Sequence, residues 1–144
     1  DRSDAFLAGV LAHVREITAF LNPVESSYRR LGEHKAPRYI TWSPENRSQL
    51  VRIPAAQGEY KRIELRSPDP TANPYLAYAL LIHAGLDGIR RGLTAPLPVN
   101  ENLYTASESL TSKLERLPGS LQEAKALARE SAFVASILPA GMLD

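Results

Sequence analysis

The segment Lys61-Arg62-Ile63-Glu64-Leu65-Arg66 carries the chemistry that stands out first in this sequence. Read as a strand with a two-residue period, it places Arg62, Glu64 and Arg66 on one face and turns Ile63 and Leu65 toward a core. Guanidinium groups can each grip an anion through two parallel hydrogen bonds. The carboxylate between them can face a divalent cation, because Mg2+ takes oxygen ligands. The same row also makes a salt-bridge ladder along an exposed strand, and from the strand alone that plainer reading is slightly favoured.

Further arginines shift the balance. Arg47, within Asn46-Arg47-Ser48, stands just before a second strand pattern, and Arg52 lies five residues later. Arg30 follows Tyr28 in a segment without regular pattern. From Tyr28 to Arg66 there are nine Lys or Arg against four Asp or Glu, whereas from Glu101 to Asp144 there are four against six. The central stretch is therefore where an anionic ligand is to be sought. Phosphoryl transfer needs several fixed cations to hold the negative charge of its transition state. No general base and no complete metal site is visible, and a single Glu holds Mg2+ poorly, so any metal needs ligands from elsewhere.

The elements that must position these residues read as α+β: long helices packed on a small antiparallel sheet. Phe6, Val10, Val14, Ile17 and Leu21 recur at helical spacing and predict a helix over 3–21, capped by Ser3 or Asp1 and ended by Asn22-Pro23. His13 lies near the edge of that stripe, and its expected role is structural. Residues 22–38 read as a long irregular segment, followed by strand candidates at 38–42, 49–53 and 61–67. Asn73 before Pro74 is an N-cap with proline at the first helical position. The helix it opens should run to Arg90 or Arg91 and stop at Gly92. Its middle is nearly all apolar, which predicts burial on most sides. A loop over 94–105 leads to a short helix at 107–117, a helix opened by a Ser120–Glu123 capping box, and a last one at 131–138 ended by Pro139.

The totals narrow the classes. The chain has 144 residues, 44% hydrophobic and 23% charged, with no cysteine, so it can build one compact domain and has neither disulfides nor thiolate metal sites. A net charge of +1 argues against a nucleic-acid partner. No apolar run is long enough to cross a bilayer and no signal peptide is visible, which makes a cytoplasmic location the expectation. The chain opens on Asp1 rather than Met, directly on a helix pattern, as if cut from something longer.

Taken in order, Asn22-Pro23, Ser27-Tyr28-Arg29-Arg30-Leu31, Ala36-Pro37, Asn46-Arg47-Ser48, Arg52-Ile53-Pro54, Arg62-Ile63-Glu64-Leu65-Arg66-Ser67-Pro68-Asp69-Pro70, Ala72-Asn73-Pro74-Tyr75 and Ala84-Gly85-Leu86-Asp87-Gly88 resemble the C-terminal part of the class I glutamine synthetase catalytic domain. The resemblance is dense over 22–91 and thinner to about 138, and makes residues 1–144 a C-terminal portion whose N-terminal β-domain and first catalytic segment are absent. It implies an ATP-dependent glutamate–ammonia ligase, which phosphorylates the glutamate γ-carboxylate and lets ammonia displace phosphate. It assigns Arg30 and Arg66 to glutamate and the transferring phosphoryl region, Arg47 to the phosphate-transfer centre, with Arg47 and Arg30 catalytic. Arg47, Arg52 and Arg62 go to the ATP phosphates, and Glu64 to Mg2+ or Mn2+. It further implies a homo-oligomeric ring for the whole protein and no activity for the isolated piece.

One departure stands out. Where the family has a flap Glu, which helps to bind ammonium and remove its proton, this chain has Lys35, in a loop one residue shorter than usual. A cation there repels ammonium, so a γ-glutamyl ligase for a larger amine is an alternative, as is a non-catalytic relative that binds nucleotide or a partner. Tyr104 matches a tyrosine that is adenylylated in some members, but the residues after it differ, and no such regulation is expected.

Overall fold

In the computed structural model, residues 1–32, 36–56 and 58–143 are described. The chain divides into two compact units: Asp1–Tyr28 with Pro68–Ala95 and Pro118–Asp144, and Arg29–Ser67 with Pro96–Leu117. The first is helical and the second holds the sheet.

In the helical unit, α1 (Arg2–Leu21) starts at Asp1, whose side chain accepts from the Ser3 amide. Its apolar positions Leu7, Val14, Ile17 and Leu21 are at most 1% exposed. It packs on α3 (Pro74–Arg91) and on α5 (Leu121–Glu130) and α6 (Ala132–Ile137). The Asn73 side chain caps α3 by accepting from the Tyr75 and Leu76 amides, and Gly92, at φ 64°, ends it in the left-handed conformation that glycine tolerates. Ser120 accepts from the Glu123 amide, and Ser131 caps α6 from the Val134 amide. The Glu123 carboxylate takes the Gly119 amide and Arg15 instead of the Ser120 amide, a variant of the expected box.

Three expectations about the helices and the segments joining them need correction. Residues 22–38 are not irregular throughout, because α2 (Glu25–Arg30) forms there; Glu25 in its first turn and Arg29 and Arg30 in its last complement the helix dipole. The helix expected at 107–117 shrinks to α4 (Glu108–Thr111), and the chain beyond it turns to pair Arg116 with Tyr39 in an isolated bridge. Burial of α3 on most sides is not found. Ala77, Leu80, Ala84, Gly85 and Gly88 are buried, while Tyr75, Tyr78, Ile82 and Leu86 are exposed.

Glycines explain how close α1 and α3 come. A Cβ on Gly9 would stand 2.1 Å from the Ala84 carbonyl oxygen, and one on Gly88 would stand 2.1 Å from that of Ala5. The contact is backbone to backbone, so neither side can yield by changing rotamer. Above it, His13 places one ring nitrogen against Glu16 and the other 2.7 Å from Asp87, and stacks on Phe133 at 3.8 Å. Its expected structural role holds. Asp87 also takes Arg90 and Arg91. The His13 hydrogen bond, then those from Arg91 and Arg90, hold its carboxyl far below the usual range against the opposing effect of burial.

In the other unit, β1 (Trp42–Ser43), β2 (Val51–Arg52) and β3 (Glu64–Leu65) form a sheet in that order. β2 and β3 fall inside the expected 49–53 and 61–67 stretches, β1 overlaps the expected 38–42 stretch only at Trp42, and each strand is two residues long. β2 and β3 pair antiparallel, as expected, and their register sets Arg52 opposite Glu64; β1 and β2 run parallel, so the small sheet is mixed where an antiparallel one was expected. The turns at Pro44 to Ser48 return the chain to the same edge direction without a hairpin.

Two predictions follow from the helical unit. Gly88→Ala should lower stability by about 1–3 kcal/mol through overpacking against backbone, read as a fall in melting temperature, while Gly92→Ala, whose added Cβ meets nothing within 4 Å, should cost only the left-handed conformation. Asp87→Asn should destabilise by about 1–3 kcal/mol at neutral pH. Because the folded Asp87 pKa is depressed, its stabilisation is present above the ordinary aspartate value of 3.8 and drains away as pH falls below it. The gap between wild-type and Asp87→Asn melting temperatures should therefore narrow on acidification, and a constant gap would count against the ion cluster.

Candidate functional site

The antiparallel register of β2 and β3 sets Arg52 directly across from Glu64. Side chains opposite one another on a sheet face are close enough to pair, and an Arg52 Nη donates to Glu64 Oε2 at 3.0 Å. Arg66, two residues along from Glu64, brings its Nε to 3.4 Å from the other carboxylate oxygen. The result is an Arg–Glu–Arg cluster in which one carboxylate lies between two guanidinium groups. The Arg52 hydrogen bond, with the charges of Arg52, Arg66 and Arg62, lowers the Glu64 pKa against partial desolvation.

The cluster does not use up its donors. Arg52 Nε and Arg66 Nη1 are buried and have no hydrogen-bond partner among the described residues. A buried donor without an acceptor costs free energy, more so when it belongs to a cation. Native structures leave few such groups, and those that remain call for an explanation.

The other expected site residues lie around this cluster to different degrees. Arg30, at the end of α2, donates to the Ser67 carbonyl at 2.7 Å, next in sequence to Arg66. Arg62 lies outside the two-residue strand and is exposed. It acts on Glu64 through its charge, so the face expected to hold Arg62, Glu64 and Arg66 is completed by Arg52 instead. Arg47 is exposed in the turn between β1 and β2. Lys35, the residue at the place of the flap Glu, lies outside the described residues. Tyr104 is partly exposed, and burial raises its phenol pKa.

The loop that carries Arg47 is clipped on both sides. Asn46 Oδ1 accepts from the Ser48 amide at 2.9 Å and the Ser48 hydroxyl at 2.7 Å, while its Nδ2 donates to the Asn100 carbonyl at 3.0 Å. Ser48 Oγ takes the Leu103 amide at 2.8 Å. Gln49, fully buried, accepts from Thr41 and donates to the Val99 and Glu101 carbonyls. An open cavity of about 600 Å³ lies beside the turn, lined by Ser43, Pro44, Glu45, Asn46 and Asn100. These positioning residues escaped the sequence reading, which took Asn46 and Ser48 only as flanks of Arg47. The signal was an Asn two residues before a Ser, which bonds its own backbone two positions on.

Glu64 is the residue present that a divalent cation would use, and alone it does not make a metal site. Both its oxygens face guanidinium nitrogens, and among the described residues no three His, Cys, Asp or Glu side chains come together to hold an ion. What the cluster can do without further help is bind oxyanions: its net charge is positive, and its unused donors are N–H groups.

The Asn46 clip yields a measurable consequence. Asn46→Ala removes acceptors worth about 1 kcal/mol of local order, so tryptic cleavage after Arg47 in otherwise native protein should speed up roughly fivefold. An unchanged cleavage rate would show that Asn46 does not hold the loop.

Comparison with known proteins gives these residues a setting. The glutamine synthetase catalytic-domain model matches residues 1–144. A glutamine synthetase from Methanosarcina mazei is 46% identical over 136 residues, covering 92% of this chain and 30% of that protein. One from Thermotoga maritima is 48% identical over 122 residues, covering 83% of this chain and 28% of that protein. Among solved structures, a GmaS/ADP complex superposes with a TM-score of 0.82 at 35% identity, over 96% of this chain and 33% of that one. GmaS without ligand matches with the same score at 37% identity. The chain thus spans about 30% of the length of the curated relatives it matches.

Proposed function

The chain belongs to the glutamine synthetase catalytic-domain family, and from that premise we propose that it is the C-terminal portion of the catalytic domain of an ATP-dependent glutamate–ammonia ligase, supplying the arginines that hold the transferring phosphoryl group. The observation that carries the assignment of the site is the pair of buried donors, Arg52 Nε and Arg66 Nη1, left without acceptors on either side of Glu64. An oxyanion supplies acceptors of the right charge for both.

In this reading Arg52 and Arg62 stand on the ATP phosphate side, with Arg47, which reaches out from its clipped loop. Arg66 and Arg30 hold the glutamate γ-carboxylate and the phosphoryl group as it moves to that oxygen; the Ser67 carbonyl orients Arg30. The guanidinium groups neutralise the charge that builds on the phosphoryl oxygens. They do so as fixed, preorganised donors, which need no reorganisation at the moment of transfer. An amine then displaces phosphate from the acyl phosphate. A divalent cation bound with carboxylates from the rest of the protein would add charge neutralisation. One structural relative is an ADP complex, which supports a nucleotide as a ligand of the whole protein. The names of the curated relatives support glutamine as the product and ammonia as the amine.

The test is the whole protein that contains this chain. ATP-dependent phosphate release should require both glutamate and ammonia, and Arg47→Ala should lower kcat about 10²–10³-fold, the usual cost of one charge-stabilising donor. This chain by itself should turn over nothing in the same assay. Absence of glutamate-dependent phosphate release by the whole protein would reject the reading, and full activity of Arg47→Ala would remove Arg47 from the chemistry.

A further inference from the structure

His13 sits at the edge of the α1–α3 contact with an acidic group at each ring nitrogen. Nδ1 meets a Glu16 carboxylate oxygen on α1, and Nε2 lies 2.7 Å from Asp87 Oδ2 on α3. We infer that the folded chain holds this ring with both protons on, as a pH-sensitive clip that opens on its Glu16 side when one proton leaves.

Donor counting carries it. A carboxylate oxygen only accepts, and a neutral imidazole has one N–H and one bare nitrogen. A neutral ring would therefore set a lone pair against one of the two carboxylates. An imidazolium donates to both, and each bond is then charge-assisted. The Phe133 ring of α6 stacks on His13 with 3.8 Å between centroids and 16° between planes. A face-on stack fixes the ring without blocking its in-plane N–H directions. The surrounding charges bear on the two sides unequally. Asp87 also takes Arg90 and Arg91 from its own helix, and its side chain is 8% exposed, so it is held in place. Glu16, at 29%, can turn into water. On α5, Glu123 is taken by Arg15, with Lys125, Arg129 and Glu130 elsewhere on that helix, and α6 carries no ionisable side chain. When a proton passes to solvent, the neutral ring should keep its hydrogen on Nε2 for Asp87, and Glu16 should let go. The clip belongs to the helical unit and stands apart from the ligase reading.

The experiment follows the histidine ring nitrogens of this chain by 15N NMR, without any assay of turnover. At about pH 7, where a free imidazole is mostly neutral, His13 should carry a hydrogen on each ring nitrogen, and after unfolding in urea it should not. As pH rises, the hydrogen lost should be the one on Nδ1. Glu16→Gln removes one of the two flanking charges and brings an amide that can donate to a bare Nδ1. Its ring should lose the second proton at a pH lower by about one unit, a tenfold weaker hold on that proton. Stability that depends on a bound proton is lost as the proton leaves. The melting temperature of Glu16→Gln should therefore fall less than that of the wild type as pH is raised through the wild-type titration. A single ring hydrogen on folded wild-type His13 at about pH 7 would overturn the inference, as would loss from Nε2 first. So would a Glu16→Gln ring that titrates with the wild type. The first two readings need no variant, and they decide the matter even should Glu16→Gln not fold.

Discussion

The helical unit depends on the closeness of α1 and α3. Gly9 and Gly88 meet backbone to backbone, with Ala5 and Ala84 beside them, at a separation where any Cβ would collide with a carbonyl oxygen. Gly85 does the same for the Phe6 ring. Helices that approach so closely bury little side-chain volume at the crossing itself, so the apolar mass sits on the flanks, in Leu7, Val14, Leu80 and Leu21. The His13–Asp87 pair then closes the edge of the same contact. Glycine lowers helix propensity, and three glycines within two helices make sense only because the approach they permit repays that local cost.

The same contact accounts for the two faces of α3. One side meets α1 through small residues, and the opposite side presents Tyr75, Tyr78, Ile82 and Leu86 at steps of three and four, an apolar stripe of the kind helices use to pack. Nearly all-round apolarity was visible in the sequence, but burial on most sides does not follow from it here. Its limit is that periodicity names the faces to be buried and not the surfaces that bury them. This chain corresponds to about 30% of its relatives' length, and α1 supplies cover for one face.

Local signals were legible because their physics is local. Asn73-Pro74 and Gly92 fixed both ends of α3, and Ser120 and Ser131 fixed two later starts, since a cap is decided by a few adjacent backbone groups. Two of the strands were found but overextended, and the first was met only at its last expected residue, Trp42. The 38–42, 49–53 and 61–67 stretches each have strand composition, and the observed pairs are two residues long, because ladder length depends on the partner chain. For the same reason the parallel pairing of β1 with β2 was invisible. Nothing in Trp42 or Val51 encodes direction; that is set by the turn between them, where Asn46 and Ser48 spend their hydrogen bonds. Residues 107–117 failed for a non-local reason as well, in that the chain there pairs with Arg38, Tyr39 and Ile40 in preference to continuing as a helix.

The arginine cluster was legible only in part, because one of its members comes from a neighbouring strand. Two-residue alternation put Arg62, Glu64 and Arg66 on one face and left open whether they were a salt-bridge ladder or a ligand site. The structure keeps Glu64 with Arg66 and exchanges Arg62 for Arg52, a substitution that required the β2–β3 register. A ladder and a ligand site are not exclusive uses of one cluster. The ladder exists, since Glu64 pairs on both sides. It is also incomplete, since each guanidinium keeps a buried donor without a partner. A surface ladder in water would lose little by leaving donors to solvent, but here the leftover N–H groups are shielded from it.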